Sequence, residues 1–190
     1  MSSLGLGLGL RKIRCGGFIL AFLMPLFGSI TASAQLSFCR VQVAFERIGV
    51  TTLVPITNGF HAVIVIDGEG IQPTGYEANP TGRPPNWGTL VARERNMALK
   101  PLKALYGADG LPVTAGDVPK SCPALRQQMR SLVGVINGAG LPYAPVPEAQ
   151  WNAVNSNSFA YWALRRLNLE PPPAPWGTQP YGYDADISDQ

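Results

Sequence analysis

His61 is the only histidine in this chain of 190 residues, so any imidazole general base must be this side chain. A lone histidine also all but excludes a histidine-based metal site, since the usual tetrahedral ligand sets cannot be assembled from it; no metal or cofactor is expected. The nucleophile that such a base would activate is sought in Asn155-Ser156-Asn157-Ser158-Phe159. This segment sets a small hydroxyl residue, Ser156, at the first turn of an amphipathic helix, after a Pro-rich stretch. Unpaired N–H groups and the positive dipole end of such a helix suit a developing oxyanion. Asn155, Asn157 and Ser158 are accordingly candidates for substrate or oxyanion contacts. Both motifs also have plainer readings: a buried histidine hydrogen-bonded within a sheet, and ordinary Asn and Ser helix caps.

A third group should orient the histidine. If Asp67-Gly68-Glu69-Gly70 is a four-residue turn, Ile66 faces Ile71 and His61 faces Tyr76, with Gln72 and Thr74 on the same face. A one-residue slip would bring Glu77 there instead. The plainer reading of Tyr76 is simple aromatic packing. Cys122 is a rival nucleophile, because it too begins a predicted helix, where a thiol loses its proton more readily.

The elements that must position these residues follow from periodicity. Phe38 to Phe45 alternates as a half-buried strand. In Phe60 to Ile66, His61, Val63 and Val65 point one way and Ala62, Ile64 and Ile66 the other, so the strand is central. A return strand runs from Ile71 to about Ala78, and Thr89 to Ala92 can rejoin the sheet after the Pro- and Gly-rich loop 79–88. The pattern from Arg93 to Tyr106 is ambiguous, since Pro101 would break a helix. Ser121 caps a helix whose stripe is Leu125, Met129, Leu132 and Ile136, ending at Asn137-Gly138. A second helix spans Ser156 to about Asn168. Strands first and helices afterwards predict an α+β domain, an antiparallel sheet with flanking helices.

Residues 1–34 have the three parts of a secretory signal: basic Arg11, Lys12 and Arg14, an apolar run from Gly17 to Ile30, and Ala32-Ser33-Ala34 for cleavage. Cleavage would leave a single domain over 35–170 and a Pro-rich, then acidic, tail over 171–190. Three of the 15 basic residues and none of the 12 acidic ones lie in the signal, so the mature chain is balanced and carries no basic stripe for nucleic acid. Export to the periplasm or beyond predicts a disulfide between Cys39 and Cys122. A membrane enters only through the signal before cleavage.

A strand beginning His61-Ala62-Val63-Ile64-Val65-Ile66, followed by Asn155-Ser156-Asn157-Ser158-Phe159 opening a later helix, resembles the permuted papain-like families, the NlpC-like and lecithin:retinol acyltransferase-like hydrolases. The similarity covers roughly Phe60 to Leu169. It implies a papain-like fold in circularly permuted order and acyl transfer with His61 as base. The families place a nucleophilic cysteine where this chain has Ser156, so the chemistry is either lost or converted to a serine type. The substrates implied are a cell-envelope peptide or a lipid acyl group. The alternative is a catalytically silent module holding an envelope ligand in a cleft lined by Trp87, Trp151, Trp162 or Trp176. The sequence leaves open whether the chain is an enzyme.

Overall fold

The computed structural model describes residues 38–48, 59–68, 70–106, 111–146, 153–178, 181–184 and 187. The expected signal segment and Trp151 lie outside the described residues. Five strands appear in chain order: β1 (Cys39–Arg47), β2 (Phe60–Gly68), β3 (Ile71–Pro80), β4 (Leu90–Asn96) and β5 (Val113–Val118). Helices α1 (Cys122–Ala139) and α2 (Ser156–Arg166) follow. The sheet is antiparallel, in the order β4-β3-β2-β1-β5. It is the α+β arrangement that the order of patterns predicts, with β2 at its centre.

Both helices cover one face. Val41, Val43, Phe45, Ala62, Ile64, Ile66 and Tyr76 pack there against Leu125, Met129 and Ile136 of α1 and Phe159, Ala160 and Ala163 of α2. Ser121 caps α1 as predicted, accepting from the N–H of Ala124. The helix runs past Asn137-Gly138 and ends at Gly140, whose φ of 62° is the left-handed conformation that glycine takes without strain. Asn137 does not stop it because its carboxamide has another task. Oδ1 accepts from the N–H of Ala92 (2.8 Å) and Nδ2 donates to the Ala92 carbonyl (3.0 Å), sealing part of the β4 edge.

The opposite face is covered by the segment after β4. Met97, Leu102 and Leu105 pack on Ala44, Val63 and Val65, and Leu105 bridges to Glu46 at the end of β1. This explains the ambiguous pattern at 93–106: its first residues finish a strand and the rest crosses the sheet as an irregular strap. Gly75 permits the close approach, since a Cβ there would stand 2.8 Å from Met97 Sδ.

Cys39 and Cys122 are joined as a disulfide, tying β1 to the start of α1. Such a bond suits an oxidising compartment outside the cytoplasm. Among the described residues no helix is long and apolar enough to cross a membrane. Within the C-terminal segment, Tyr183 and Ile187 join the core.

Candidate functional site

The β2–β3 hairpin does not take the register expected of a four-residue turn. Gly68 pairs with Ile71, an irregularity follows, and Ile66 faces Thr74, Val65 faces Gly75 and Ile64 faces Tyr76. The slip is an odd number of residues, so it exchanges the faces of β3. Tyr76 therefore points into the helix-side core, fully buried, with its hydroxyl donating to the Arg126 carbonyl (3.4 Å). Burial pushes its phenol up to about 12, so it stays protonated. Glu77, on His61's face, stands where Tyr76 was expected.

The His61 ring donates from Nε2 to Glu77 Oε2 at 3.1 Å. Glu77 is held from β4 as well. Arg93, its direct cross-strand partner, gives Nε and Nη2 to Oε1 at 3.1 and 2.9 Å. Lys100 Nζ reaches the same oxygen at 2.7 Å, and Arg95 Nη1 reaches Oε2 at 3.2 Å. Arg95 in turn forks onto Glu46 of β1, at 3.0 and 2.8 Å, and Lys103 N–H donates to Glu46 at 2.7 Å. The strap closes the arrangement through the carbonyls of Lys100 and Pro101, both accepting from Arg95. Arg95 and Glu77 side chains are 1% and 2% exposed, whereas Arg93 and Lys100 are about half exposed.

Burial alone would raise the Glu77 carboxyl, but hydrogen bonds from His61, Lys100 and Arg93 outweigh it and hold the group well below the usual carboxylate range. Glu46 is likewise lowered, its burial overcome by Arg95 and the Lys103 N–H. Arg95 is raised: its burial opposes the charge, and Glu46 and Glu77 more than offset that.

Glu46, His61 and Glu77 bring three potential ligand atoms within 4.8 Å of one another. A divalent ion fits poorly there. All four carboxylate oxygens already accept hydrogen bonds from Arg95, Arg93, Lys100, His61 or the Lys103 N–H. A cation would have to displace a buried guanidinium of its own sign. The cluster is an ion-pair network that fixes the His61 ring.

Helix α2 meets the sheet beside this histidine. Asn157 Oδ1 accepts from the Ala62 N–H (2.9 Å) and its Nδ2 donates to the Phe60 carbonyl (3.0 Å), bracketing His61 from either side. The paired register of β2 with β3 ends at Ile64 and Tyr76, and the Asn157 carboxamide satisfies the backbone groups left open beyond it. The expected oxyanion donors are otherwise employed. The N–H groups of Asn157 and Ser158 both donate to Asn155 Oδ1, at 2.8 and 3.1 Å, and Ser158 Oγ accepts from the Asn155 N–H in a capping box. Asn155 and Asn157 also each donate from Nδ2 to the Tyr181 carbonyl, at 2.9 and 3.1 Å.

Ser156 is the first residue of α2 and is buried. Among the described residues no hydrogen bond joins it to His61, whose ring stands on the sheet face opposite the helices. Cys122 is in the disulfide, which removes it as a rival nucleophile. Trp87 is half-buried in the β3–β4 loop against Tyr143. Trp162 is a core residue and Trp176 is fully exposed, so neither walls a cleft.

The residues that sequence reasoning missed are Glu46, Arg93, Arg95 and Lys100. A signal was present: Glu46, Glu77, Arg93 and Arg95 are charges set into otherwise apolar or alternating strands. Such positions are rarely buried unless paired. The chain matches no protein-family model, no curated protein and no solved structure.

Proposed function

We propose that the domain is an amide or ester hydrolase, or acyltransferase, of permuted papain-like type, acting on a cell-envelope peptide or lipid acyl group. The observation that carries this reading is the His61–Glu77 pair on β2 and β3, set beside the N-terminus of α2 by the Asn157 carboxamide. A carboxylate accepting from Nε2 fixes the tautomer and leaves Nδ1 as the basic lone pair. Glu77 takes the orienting role first assigned to Tyr76. In the proposed reaction Ser156 Oγ attacks the acyl carbon and its proton passes to Nδ1. The C–N or C–O bond breaks as that proton goes to the leaving amine or alcohol. Water or an acceptor alcohol then releases the acyl group by the same route. Among the described residues Ser156 and His61 share no hydrogen bond, so the step requires both side chains to turn toward one substrate at the N-terminus of α2, where the Asn157 carboxamide joins helix to strand.

A second reading is favoured by the cap. With the N–H groups of Asn157 and Ser158 consumed by Asn155 and no Ser156–His61 hydrogen bond, the same fold would serve as a binding module without turnover. A fluorophosphonate probe separates the two. Covalent labelling at Ser156 that disappears in Ser156→Ala and in His61→Gln supports the enzyme. A folded protein that remains unlabelled, and hydrolyses no acyl ester, supports the module.

A further inference from the structure

On the helix-covered face, at the hairpin end of the sheet away from His61, lies a cavity of about 140 Å³ lined by Gln72, Pro73, Thr74, Glu94, Asn96 and Arg126. The sheet register explains the grouping. Thr74 faces Asn96 across β3 and β4, while Gln72 and Glu94 share the parity that points toward α1. Arg126, in the second turn of α1, lies over them and donates from Nη2 to the Gln72 carbonyl.

The wall is rich in hydrogen-bond donors. Arg126 Nε is buried and has no partner among the described residues. A guanidinium remains charged in proteins, and leaving one of its N–H groups unmatched in a buried position is unfavourable. Asn96 has committed Oδ1 to the N–H groups of Ala98 and Leu99, at 3.0 and 3.4 Å, so its free group is the donor Nδ2. Thr74 adds a buried hydroxyl. Glu94 is the one anion of the wall, and Arg130 neutralises it from outside through contacts of 2.7 and 3.4 Å.

We propose that this cavity is a binding site for a small carboxylate of amino-acid size, anchored by Arg126 with Asn96 and Thr74 as additional donors. A carboxylate would pair with the Arg126 guanidinium, whose Nη2 already donates to the Gln72 carbonyl. At about 30 Å³ per water the cavity holds roughly five waters' worth of ligand, room for an alanine-sized group. A free amino acid and a peptide C-terminus present the same carboxylate. They differ in the amine, which is charged in one and acylated in the other. The site stands independently of any reaction at His61.

The test is an NMR titration of the ¹⁵N-labelled, disulfide-bonded protein with alanine, N-acetylalanine and alaninamide. Saturable shifts at the amides of Thr74 and Asn96 and at Arg126 Nε are expected with one or both carboxylates and not with alaninamide. Preference for alanine identifies a free amino acid as the ligand, and preference for N-acetylalanine a peptide end. Arg126→Gln should weaken binding at least tenfold, the loss of one charge-assisted contact, while the remote Arg165→Gln leaves it unchanged. Thr74→Val, which keeps the volume and removes a hydroxyl, should weaken it severalfold and keeps the test open if Arg126→Gln does not fold. Absence of saturable shifts with both carboxylates, equal response to alaninamide, or unchanged affinity in a folded Arg126→Gln overturns the proposal.

Discussion

Replacing Glu77 by Gln changes almost no volume and removes one buried negative charge. Four positively charged or donor side chains then lose their ionic partner: His61, Arg93, Arg95 and Lys100. Removing one member of a buried ion pair costs about 3–5 kcal/mol because the partner stays buried and uncompensated. Here the lower end applies. Arg93 and Lys100 are about half exposed and can rehydrate, and Arg95, which cannot, keeps its fork onto Glu46. We expect a loss of about 3 kcal/mol, or roughly 6–12 °C in melting temperature for a domain of this size. Urea unfolding followed by the fluorescence of buried Trp162 reads it directly, with a lower midpoint at unchanged slope.

The same variant carries a pH signature. The Glu77 carboxyl is lowered in the folded state, so between its folded and unfolded values the unfolded chain binds the extra proton. Its contribution is complete above the ordinary carboxylate pKa and is lost as pH falls through the folded value. The gap between wild type and Glu77→Gln should therefore be widest near neutrality and narrow progressively below about pH 4. A loss under about 1 kcal/mol at neutral pH, the range of an exposed pair, or a gap that stays constant down the acid limb, would refute the ion-network account.

Two further outcomes follow from the fold. The Cys39→Ala/Cys122→Ala double variant releases a loop with a sequence separation of 83, and chain entropy predicts a loss of about 4–5 kcal/mol, or roughly 8–20 °C; a shift of only a few degrees would show that the bond barely restrains the unfolded chain. Asn157→Leu leaves the Phe60 carbonyl and Ala62 N–H without partners, at a cost of about 2–4 kcal/mol, and should selectively speed hydrogen exchange at Ala62; unchanged exchange there would mean that the carboxamide does not hold the strand.

How much of this was legible beforehand differs by element. β2 is readable because both its faces are apolar, and α1 because Leu125, Met129 and Ile136 recur on one stripe. β5 is not, since Val113–Val118 is short, mostly unburied and broken by Gly116. The candidate site was half legible. His61 and the helix opening at Ser156 stand out by residue type, but the identity of the histidine's partner depends on how far the hairpin zips beyond Asp67. Composition does not encode that distance, and an odd error of register replaces Glu77 by Tyr76. The ion network was hidden for the same reason: Glu46, Glu77 and Arg95 come from three strands and meet only once the register is set.

The placement of Tyr183 has a consequence for the order of assembly. Its ring packs edge-on against Phe45 and Phe60, with centroids 5.5 and 5.6 Å away, and the Tyr181 carbonyl ties down the opening of α2. A chain made from its N-terminus has β1, β5 and Cys122 in hand long before these residues exist, so the disulfide can close around an unfinished sheet. The part of the two phenylalanines that Tyr183 covers stays open until residue 183 has been made. A chain cut back to residue 170 would keep the disulfide pair but lack the ring that packs on Phe45 and Phe60, and should be the stickier for it.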